Sequence, residues 1–216
     1  GFVCKRGRFF KFGRKLNVTW GEFRVVTESV IVIGDLEMRF APTNRGFRIH
    51  VGGNAVREDA PYYGWHDLSL PEEHSVFLHP RTPDLPIVLR SDEKIIVGVG
   101  EELAFDVALP LWVRLGHGDR TGSTEIKTII DAASGSLKRC WFGNTEGGEV
   151  AYSWPVTPHH EGPIMYDRSV IVPVRIVNGS RALLNFERFL LRVVHLGVYE
   201  ERDRLVTNTV TVRFKG

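Results

Sequence analysis

The sequence predicts an all-β protein, an antiparallel β-sandwich or barrel-like domain of many short strands with few or no helices. Its composition contains 26 valines against 9 alanines, and β-branched residues suit a pleated, half-buried surface whereas alanine leads the helix scale. Apolar and polar residues alternate with a period of two along most of the chain. Turn signals rich in Gly, Asn and Asp separate these runs, a pattern typical of sandwiches and barrels.

Two runs are the strongest strand candidates. Val170–Val177 is a dense β-run, and Thr207–Phe214 alternates so that Val206, Val210, Val212 and Phe214 share one face. Further strands are predicted at Phe23–Thr27, Val30–Phe40, Phe47–Val51, Ser75–Leu78, Lys94–Val99, Leu103–Leu109, Trp112–Leu115, Leu137–Phe142 and Val150–Trp154. Turns are predicted at Gly52-Gly53-Asn54, Ser91-Asp92, Gly100-Glu101, Gly147-Gly148 and Asn178-Gly179.

Two segments fit either period. In Thr124–Gly135, four apolar residues recur at helical spacing, and in Arg181–His195 the apolar residues are nearly continuous. Their flanks are strand-like, and Thr and Ile crowd the first segment, which favours strands in both. The helical alternative stays open for each.

The chain length of 216 residues allows one large β-domain or two small ones. A single domain over 1–216 is predicted, with two β sub-domains, about 1–115 and 123–216, as the alternative. No run approaches the roughly 18 apolar residues of a membrane span. Cys4 and Cys140 belong to no C-x-x-C pattern, which excludes a zinc ribbon and fits a reducing cytoplasm. Because residue 1 is glycine, a leader upstream of it is left open.

The order of features from about residue 83 to residue 154 resembles a known family. Pro86–Leu89 and Phe105–Pro110 precede Thr128–Asp131, and Arg139–Asn144 is followed by Gly147-Gly148. This order is similar to that of an uncharacterised, chiefly archaeal family known as domain of unknown function 432. The resemblance implies an archaeal source, and arginine outnumbering lysine 21 to 7 with no glutamine suits a thermophile. It implies no catalytic or binding residue.

The amino end is the main candidate binding segment. Six positive charges and no negative one precede residue 20, with phenylalanines interleaved, among them Phe9 and Phe10. Basic groups neutralise phosphates while aromatic rings stack on bases, so the segment predicts a nucleic-acid or polyanion site. The alternative is an edge strand whose charges prevent aggregation. The candidate binding residues are Lys5, Arg6, Arg8, Phe9, Phe10, Lys11, Arg14 and Lys15.

The histidines predict no metal site and no cofactor. The chain has eight of them, and neither Trp65-His66-Asp67 nor His159-His160-Glu161 has the ligand spacing of a known metal motif. A metal site assembled from distant strands is left open by spacing alone. The segment Gly116–Glu125 is rich in groups that suit an anion-binding loop, but it lacks the lysine of a P-loop.

The absence of a catalytic signature weighs against an enzyme without excluding one. No G-x-S-x-G elbow occurs, and neither cysteine has a local histidine partner. Asn178-Gly179-Ser180 matches the glycosylation pattern and is interpreted as an ordinary turn. The sequence therefore favours a non-enzymatic binding or structural module. The alternatives are nucleic-acid or polyanion binding through the amino end, and a metal-dependent hydrolase or other β-barrel enzyme.

Overall fold

The computed structural model describes residues 20–70, 74–119, 125–156, 169–202 and 204–215. Within these ranges the regular structure is all strand except for one short 3-10 turn, Val193–His195. The predicted all-β fold is confirmed. The sheets form a sandwich-like arrangement and do not close into a barrel. Among the described residues, no helix is long and apolar enough to cross a membrane.

The strands are numbered in chain order. They are β1 (Gly21–Phe23), β2 (Ser29–Ile33), β3 (Leu36–Thr43), β4 (Gly46–Gly52), β5 (Gly64–Ser69), β6 (His74–Arg81), β7 (Ile87–Val97), β8 (Glu102–Pro110), β9 (Trp112–Asp119), β10 (Lys127–Ala133), β11 (Lys138–Phe142), β12 (Glu149–Val156), β13 (Ser169–Asn178), β14 (Leu184–Leu191), β15 (Val198–Glu201), β16 (Arg204–Thr207) and β17 (Val210–Phe214). The segments with an open helical alternative thus contain β10 and β14, as the favoured interpretation predicted.

The chain divides into two compact units. The first unit comprises Gly1–Arg81 and Leu111–Ser136, and the second comprises Thr82–Pro110 and Leu137–Gly216. Each unit is therefore built from two separate stretches of chain. The number of independently folding domains stays a prediction.

The first unit contains two four-stranded sheets. Sheet I has the order β1-β6-β9-β10, and sheet II has the order β2-β3-β4-β5. Neighbouring strands in both sheets are antiparallel. Phe23 of sheet I meets Phe40 of sheet II edge to face, with ring centroids 5.6 Å apart. Both rings are buried, and burying a large apolar side chain contributes about 1.5–3 kcal/mol.

The second unit contains two sheets with mixed strand directions. Sheet III has the order β11-β12-β7-β14, in which β12 and β7 are parallel. In sheet IV, β13 pairs along one edge with antiparallel β8 and along the other with parallel β16 and β17. Val170, Ile171 and Val172 are consecutive and all buried, so this part of β13 is covered on both faces, whereas Arg175 further along the strand is exposed.

Several predicted element boundaries are wrong. The predicted strand Phe23–Thr27 lies almost wholly after β1, which ends at Phe23. Val30–Phe40 is a hairpin rather than one strand, because Gly34 turns the chain between β2 and β3 with a φ of 58°. The predicted strand Thr207–Phe214 breaks after β16, and Val206 does not share the face of Val210 because its neighbours Leu205 and Thr207 are the buried residues of β16. Ser91-Asp92 lies inside β7, where the pairing with β14 is irregular.

Candidate functional site

A cavity of about 680 Å³ opens in the first unit beside the end of β1. Its apolar residues include Phe23, Phe47 and Val76, which are all buried. These side chains belong to β1, β4 and β6, so the cavity draws on both sheets of the unit. The described lining residues are Phe23, Arg24, Val25, Val26, Asn44, Arg45, Gly46, Phe47, Ser69, Leu70, Ser75 and Val76.

The charge of the cavity comes from two arginines. Arg24 follows β1, Arg45 lies in the turn between β3 and β4, and both are exposed. No described lining residue is acidic. The nearby carboxylate of Glu22 accepts a 2.6 Å hydrogen bond from Ser75 Oγ. A guanidinium binds carboxylates and phosphates through parallel N–H donors, so the cavity combines an apolar interior with a cationic rim.

The backbone fixes the turn that carries Arg45. Leu70 N–H donates to the Arg45 carbonyl at 3.1 Å, which ties the turn to the end of β5. Gly46 has a φ of 150°, and a Cβ there would lie 2.0 Å from the Leu68 carbonyl oxygen. Only glycine allows this close approach, so the local sequence Arg45-Gly46 positions the guanidinium at the cavity rim.

The outer face of sheet II carries a second group of side chains, here called the aromatic face: Arg48, His50, Tyr63, Trp65 and Asp67. In register, Arg48 lies opposite Asp67 and His50 opposite Trp65. The Arg48 guanidinium sits 5.2 Å from the Trp65 ring centroid, and its Nε pairs with Asp67 Oδ1 at 2.8 Å. His50 meets Trp65 at 5.3 Å and Tyr63 at 6.3 Å between ring centroids.

The charges on the aromatic face are balanced. Arg48 pairs with Asp67, and Arg39 on the same side of the sheet forms an ion pair with Glu37. The imidazole of His50 keeps Nδ1 buried without a hydrogen-bond partner. The face therefore presents rings and hydrogen-bonding groups with little net charge.

Strand β5 joins the aromatic face to the cavity. Its residues are alternately half-buried and exposed, so Trp65, Asp67 and Ser69 point to the same exposed side. Ser69 lies opposite Gly46, and both line the cavity. The exposed row of β5 thus runs from an aromatic ring to the cavity mouth.

A compact charged cluster lies on sheet I. Asp131 Oδ2 accepts hydrogen bonds from Arg81 and from Arg114, the latter with Nη2 at 2.7 Å. In register, His79 and Asp131 flank Arg114 from the two neighbouring strands. Burial, and secondly the positive charge of Arg114, lower the pKa of His79 below its usual 6.5. His79 Nε2 and Asp131 Oδ1 are buried without hydrogen-bond partners, while the side chains of Arg81, Arg114 and Asp131 are partly exposed.

The structure does not describe the residues predicted for nucleic-acid binding. Lys5, Arg6, Arg8, Phe9, Phe10, Lys11, Arg14 and Lys15 all lie outside the described ranges. In the chain they precede β1, whose Phe23 lines the cavity. Their binding role stays a prediction.

The described histidines lie mostly on strands rather than on loops. His50, His66, His79 and His117 belong to β4, β5, β6 and β9, whereas His195 ends the 3-10 turn. His159 and His160 fall outside the described residues. Among the residues that are described, no group of three or more His, Cys, Asp or Glu could hold a metal ion.

The segment Gly116–Glu125, interpreted from sequence as a plain loop with anion binding as the alternative, begins as strand. Residues through Asp119 belong to β9, and residues 120–124 lie outside the described ranges. A Cβ at Gly116 would lie 2.5 Å from Ile126 Cγ2. This glycine is needed for close packing of Ile126 rather than for an open nest.

The sequence places Trp65 in a local Trp-His-Asp run. Its partners, Arg48 and His50, come from the neighbouring strand and become visible only through the register of β4 with β5. The sequence signal that could have found them was the alternation of exposed polar and aromatic residues in both strands. The cavity arginines carried no such signal, because Arg24 lies in the irregular segment between β1 and β2 and Arg45 lies in a turn.

Comparison with known proteins gives the family and no further relative. No curated protein and no solved structure matches the chain. The model of one family, described as protein of unknown function (DUF432), matches residues 19–216. This span covers most of the sequence and extends well beyond the region that carries the resemblance. The chain belongs to the DUF432 family.

Proposed function

We propose that the protein is a binding module that holds an organic anion in the cavity of its first unit. The observation that supports this function is the pairing of a buried apolar interior, formed by Phe23, Phe47 and Val76, with a rim that carries Arg24 and Arg45. A volume of about 680 Å³ lies in the range of small-molecule sites, about 300–1,000 Å³. The lining suits a molecule with one anionic group and one ring or alkyl part.

The two parts of the cavity contribute differently to binding. Contact with the apolar residues adds roughly 25 cal/mol per Å² of buried area and is largely insensitive to salt. The arginines select for an anion and raise its association rate, and both effects weaken as salt screens the charges. A phosphorylated nucleoside fits this division, because its base is apolar on both faces and its phosphate is bidentate.

The test is calorimetric titration with thymidine 5′-monophosphate, thymidine and inorganic phosphate. We expect the monophosphate to bind most tightly, because it alone uses both parts of the cavity. The double variant Arg24→Gln, Arg45→Gln should bind it at least about tenfold more weakly, which corresponds to about 1.4 kcal/mol. Arg57→Gln is the matched control, since Arg57 is an exposed arginine of the same unit that pairs with Asp59 outside the cavity.

Equal affinity for thymidine and its monophosphate would contradict an anion site. Loss of affinity in Arg57→Gln as large as in the double variant would show that the arginines act only through the net charge of the protein. Absence of saturable binding up to about 1 mM monophosphate, a free energy weaker than about −4 kcal/mol, would remove the cavity as a nucleotide site.

Two other functions stay proposals. Nucleic-acid or polyanion binding through residues 5–15 is supported by six positive charges interleaved with phenylalanines. Salt-sensitive retention on an oligonucleotide column that is lost on deletion of residues 1–15 would support it, and no retention at low salt would remove it. The metal-dependent hydrolase is supported by loop histidines, of which His159 and His160 lie outside the described residues. If elemental analysis of untagged protein found no stoichiometric metal, the metal-dependent hydrolase would be excluded.

The source and location are proposed on sequence grounds alone. An arginine-rich, glutamine-free composition supports a thermophilic source, and the resemblance to the DUF432 family supports an archaeal one. Two cysteines without a C-x-x-C pattern support a cytoplasmic location. A melting temperature in the ordinary mesophilic range of about 45–65 °C would contradict the thermophilic part.

A further inference from the structure

We infer that the ligand of the first unit is single-stranded nucleic acid, with phosphate held at Arg24 and Arg45 and a following base stacked on Trp65. The inference deepens the proposed function and rests on it. It names the aromatic face as a second binding surface of the same ligand. Proteins that bind single strands combine a cationic groove with aromatic rings on which successive bases stack.

The Trp65 ring is available for stacking on one side. Its relative exposure is 50%, and the Arg48 guanidinium lies over the ring 5.2 Å from its centroid. Because the guanidinium covers one face of the indole, the exposed part of the ring lies on its opposite face. His50 contacts the indole in an edge arrangement, which further limits its rotation. A fixed ring stacks on a ligand at a smaller entropic cost than a free one.

The distance between the two surfaces indicates an oligomer. Trp65 and Ser69 are four residues apart on β5 and point to the same side, which places them roughly 14 Å apart at about 3.4 Å per residue. A mononucleotide held at the cavity does not extend that far, whereas a short oligonucleotide does. The exposed row of β5 provides a continuous path between the two points.

The charges of the two surfaces agree with a nucleic acid whose phosphate lies at the cavity and whose bases lie on the aromatic face. Arg48 and Arg39 are already paired with Asp67 and Glu37, so the aromatic face attracts no phosphate and accepts the neutral bases. The unpaired attraction for phosphate is concentrated at the cavity, where no described lining residue is acidic. A neutral oligosaccharide would also stack on Trp65, but it would make no use of Arg24 and Arg45. The combination of both surfaces therefore favours a nucleic acid.

The experiment compares a labelled oligothymidylate of about ten nucleotides, within the site sizes of single-strand binders, with thymidine 5′-monophosphate. Fluorescence anisotropy measures the first and calorimetry the second. We expect the oligonucleotide to bind at least about tenfold more tightly than the monophosphate, since stacking contributes about 1–3 kcal/mol per base. Trp65→Ala should abolish this advantage and leave monophosphate binding unchanged. Trp65→Phe, which keeps a ring, should retain part of it.

Two controls isolate the Trp65 effect. Trp141→Ala removes a tryptophan of similar exposure, 55%, from the second unit and should change neither affinity. The double variant Arg24→Gln, Arg45→Gln should weaken both ligands. Circular dichroism and the urea midpoint of Trp65→Ala confirm that the sheet is intact before affinities are compared.

The outcomes separate this inference from the proposed function. Unchanged oligonucleotide affinity in Trp65→Ala overturns the inference, and the cavity proposal stands if the arginine variant still loses monophosphate binding. Oligonucleotide binding no tighter than monophosphate binding also overturns it. Trp65-dependent binding of cellohexaose that ignores the arginine variant would assign the face to neutral sugars and overturn it as well. Failure of the monophosphate to respond to the arginine variant removes the proposed function itself.

Discussion

The two units place their polar side chains differently. In the first unit, polar groups such as Arg48 and Asp67 lie on an open sheet face and pair across neighbouring strands. In the second unit, Asn178 is fully buried at the end of β13 and binds several backbone groups. The described pairs of the first unit are all antiparallel, whereas β13 of the second unit has parallel neighbours.

The difference follows from the way each unit covers its sheets. An antiparallel sheet leaves one face to solvent, where polar residues cost little and remain available for binding. A strand that is buried on both faces has no such side, so a polar residue at its end must be fully hydrogen-bonded. Substitutions of polar residues should therefore affect binding in the first unit and stability in the second, with the charged cluster of sheet I as an intermediate case.

The largest loss of stability is expected for Asn178→Ala in the second unit. Asn178 Nδ2 donates to the carbonyls of Val97 at 3.0 Å and Ala182 at 2.8 Å, and its Oδ1 accepts hydrogen bonds from Ser180. The substitution removes a donor from the carbonyl of buried Val97 and creates a small cavity, whereas the Ala182 carbonyl keeps a hydrogen bond from Ser180 Oγ at 3.0 Å. The free energy of unfolding should fall by about 3–4 kcal/mol, as measured by urea denaturation. The same contacts leave no room for a glycan on this asparagine.

Asn208→Ala is the matched control for the same unit. Asn208 is exposed, and its side-chain Oδ1 accepts a hydrogen bond from Gly197 N–H at 2.9 Å. Its loss should cost about 1 kcal/mol or less, because water replaces the missing partner. If both variants lost the same free energy of unfolding, the burial of Asn178 would not determine how much this residue stabilises the protein.

The second-largest loss of stability is expected at Gly34, a glycine of the first unit with a positive φ. Gly34 has a φ of 58°, and a Cβ there would lie 2.3 Å from the Ser134 carbonyl oxygen, which accepts a 2.8 Å hydrogen bond from Asp35 N–H. Gly34→Ala should destabilise the protein by about 2–3 kcal/mol, because the carbonyl must move and the hydrogen bond weakens. Gly135→Ala is the control, since a Cβ there meets nothing within 4 Å. A cost in the control similar to that of Gly34→Ala would contradict the role of the close contact.

The hairpin at Gly34 shows what the sequence pattern can and cannot predict. Alternation from Val30 to Phe40 correctly predicts extended backbone, but β2 and β3 both alternate and are joined by a two-residue turn that interrupts the pattern only briefly. The turns at Gly100-Glu101, Gly147-Gly148 and Asn178-Gly179 were predicted correctly because each separates longer runs. The contact that requires glycine at position 34 comes from Ser134, which is distant in the chain, and no local pattern reports it.

A smaller effect is expected in the charged cluster of sheet I. Asp131→Asn removes the negative charge that neutralises Arg81 and Arg114, and its side chain is only 26% exposed. Breaking a buried ion pair costs about 3–5 kcal/mol and an exposed one about 0–1, so we expect a loss of about 2 kcal/mol in urea denaturation. Asp59→Asn is the control, because the Arg57–Asp59 pair is highly exposed. A loss in the control as large as that in Asp131→Asn would show that burial of the pair is unimportant.

The candidate site was less predictable than the fold for a physical reason. Alternation tells which side of a strand a residue faces, so the exposure of Trp65 and Asp67 follows from sequence. Their association with Arg48 and His50 depends on the register between β4 and β5, which hairpin length and turn geometry set. Arg24 follows β1 and Arg45 lies in the turn between β3 and β4, and only the assembled unit brings the two to one cavity.

The smallest effect concerns His79 and the pH dependence of stability. Burial and the nearby Arg114 charge lower the pKa of His79 in the folded state, whereas an unfolded histidine keeps a pKa of about 6.5. Between these two values the unfolded chain binds a proton that the folded protein does not, so stability is complete above about pH 6.5 and falls as the pH decreases through the folded pKa.

Urea denaturation at about pH 7.5 and about pH 5.5 should show this loss, and His79→Gln should reduce it, because the substituted side chain does not titrate in that range. An undiminished loss in His79→Gln would assign the pH dependence to other groups. Since His79 lies opposite Arg114 on the cluster of Asp131, the same result would decide whether that cluster stabilises the first unit only as long as its histidine is neutral.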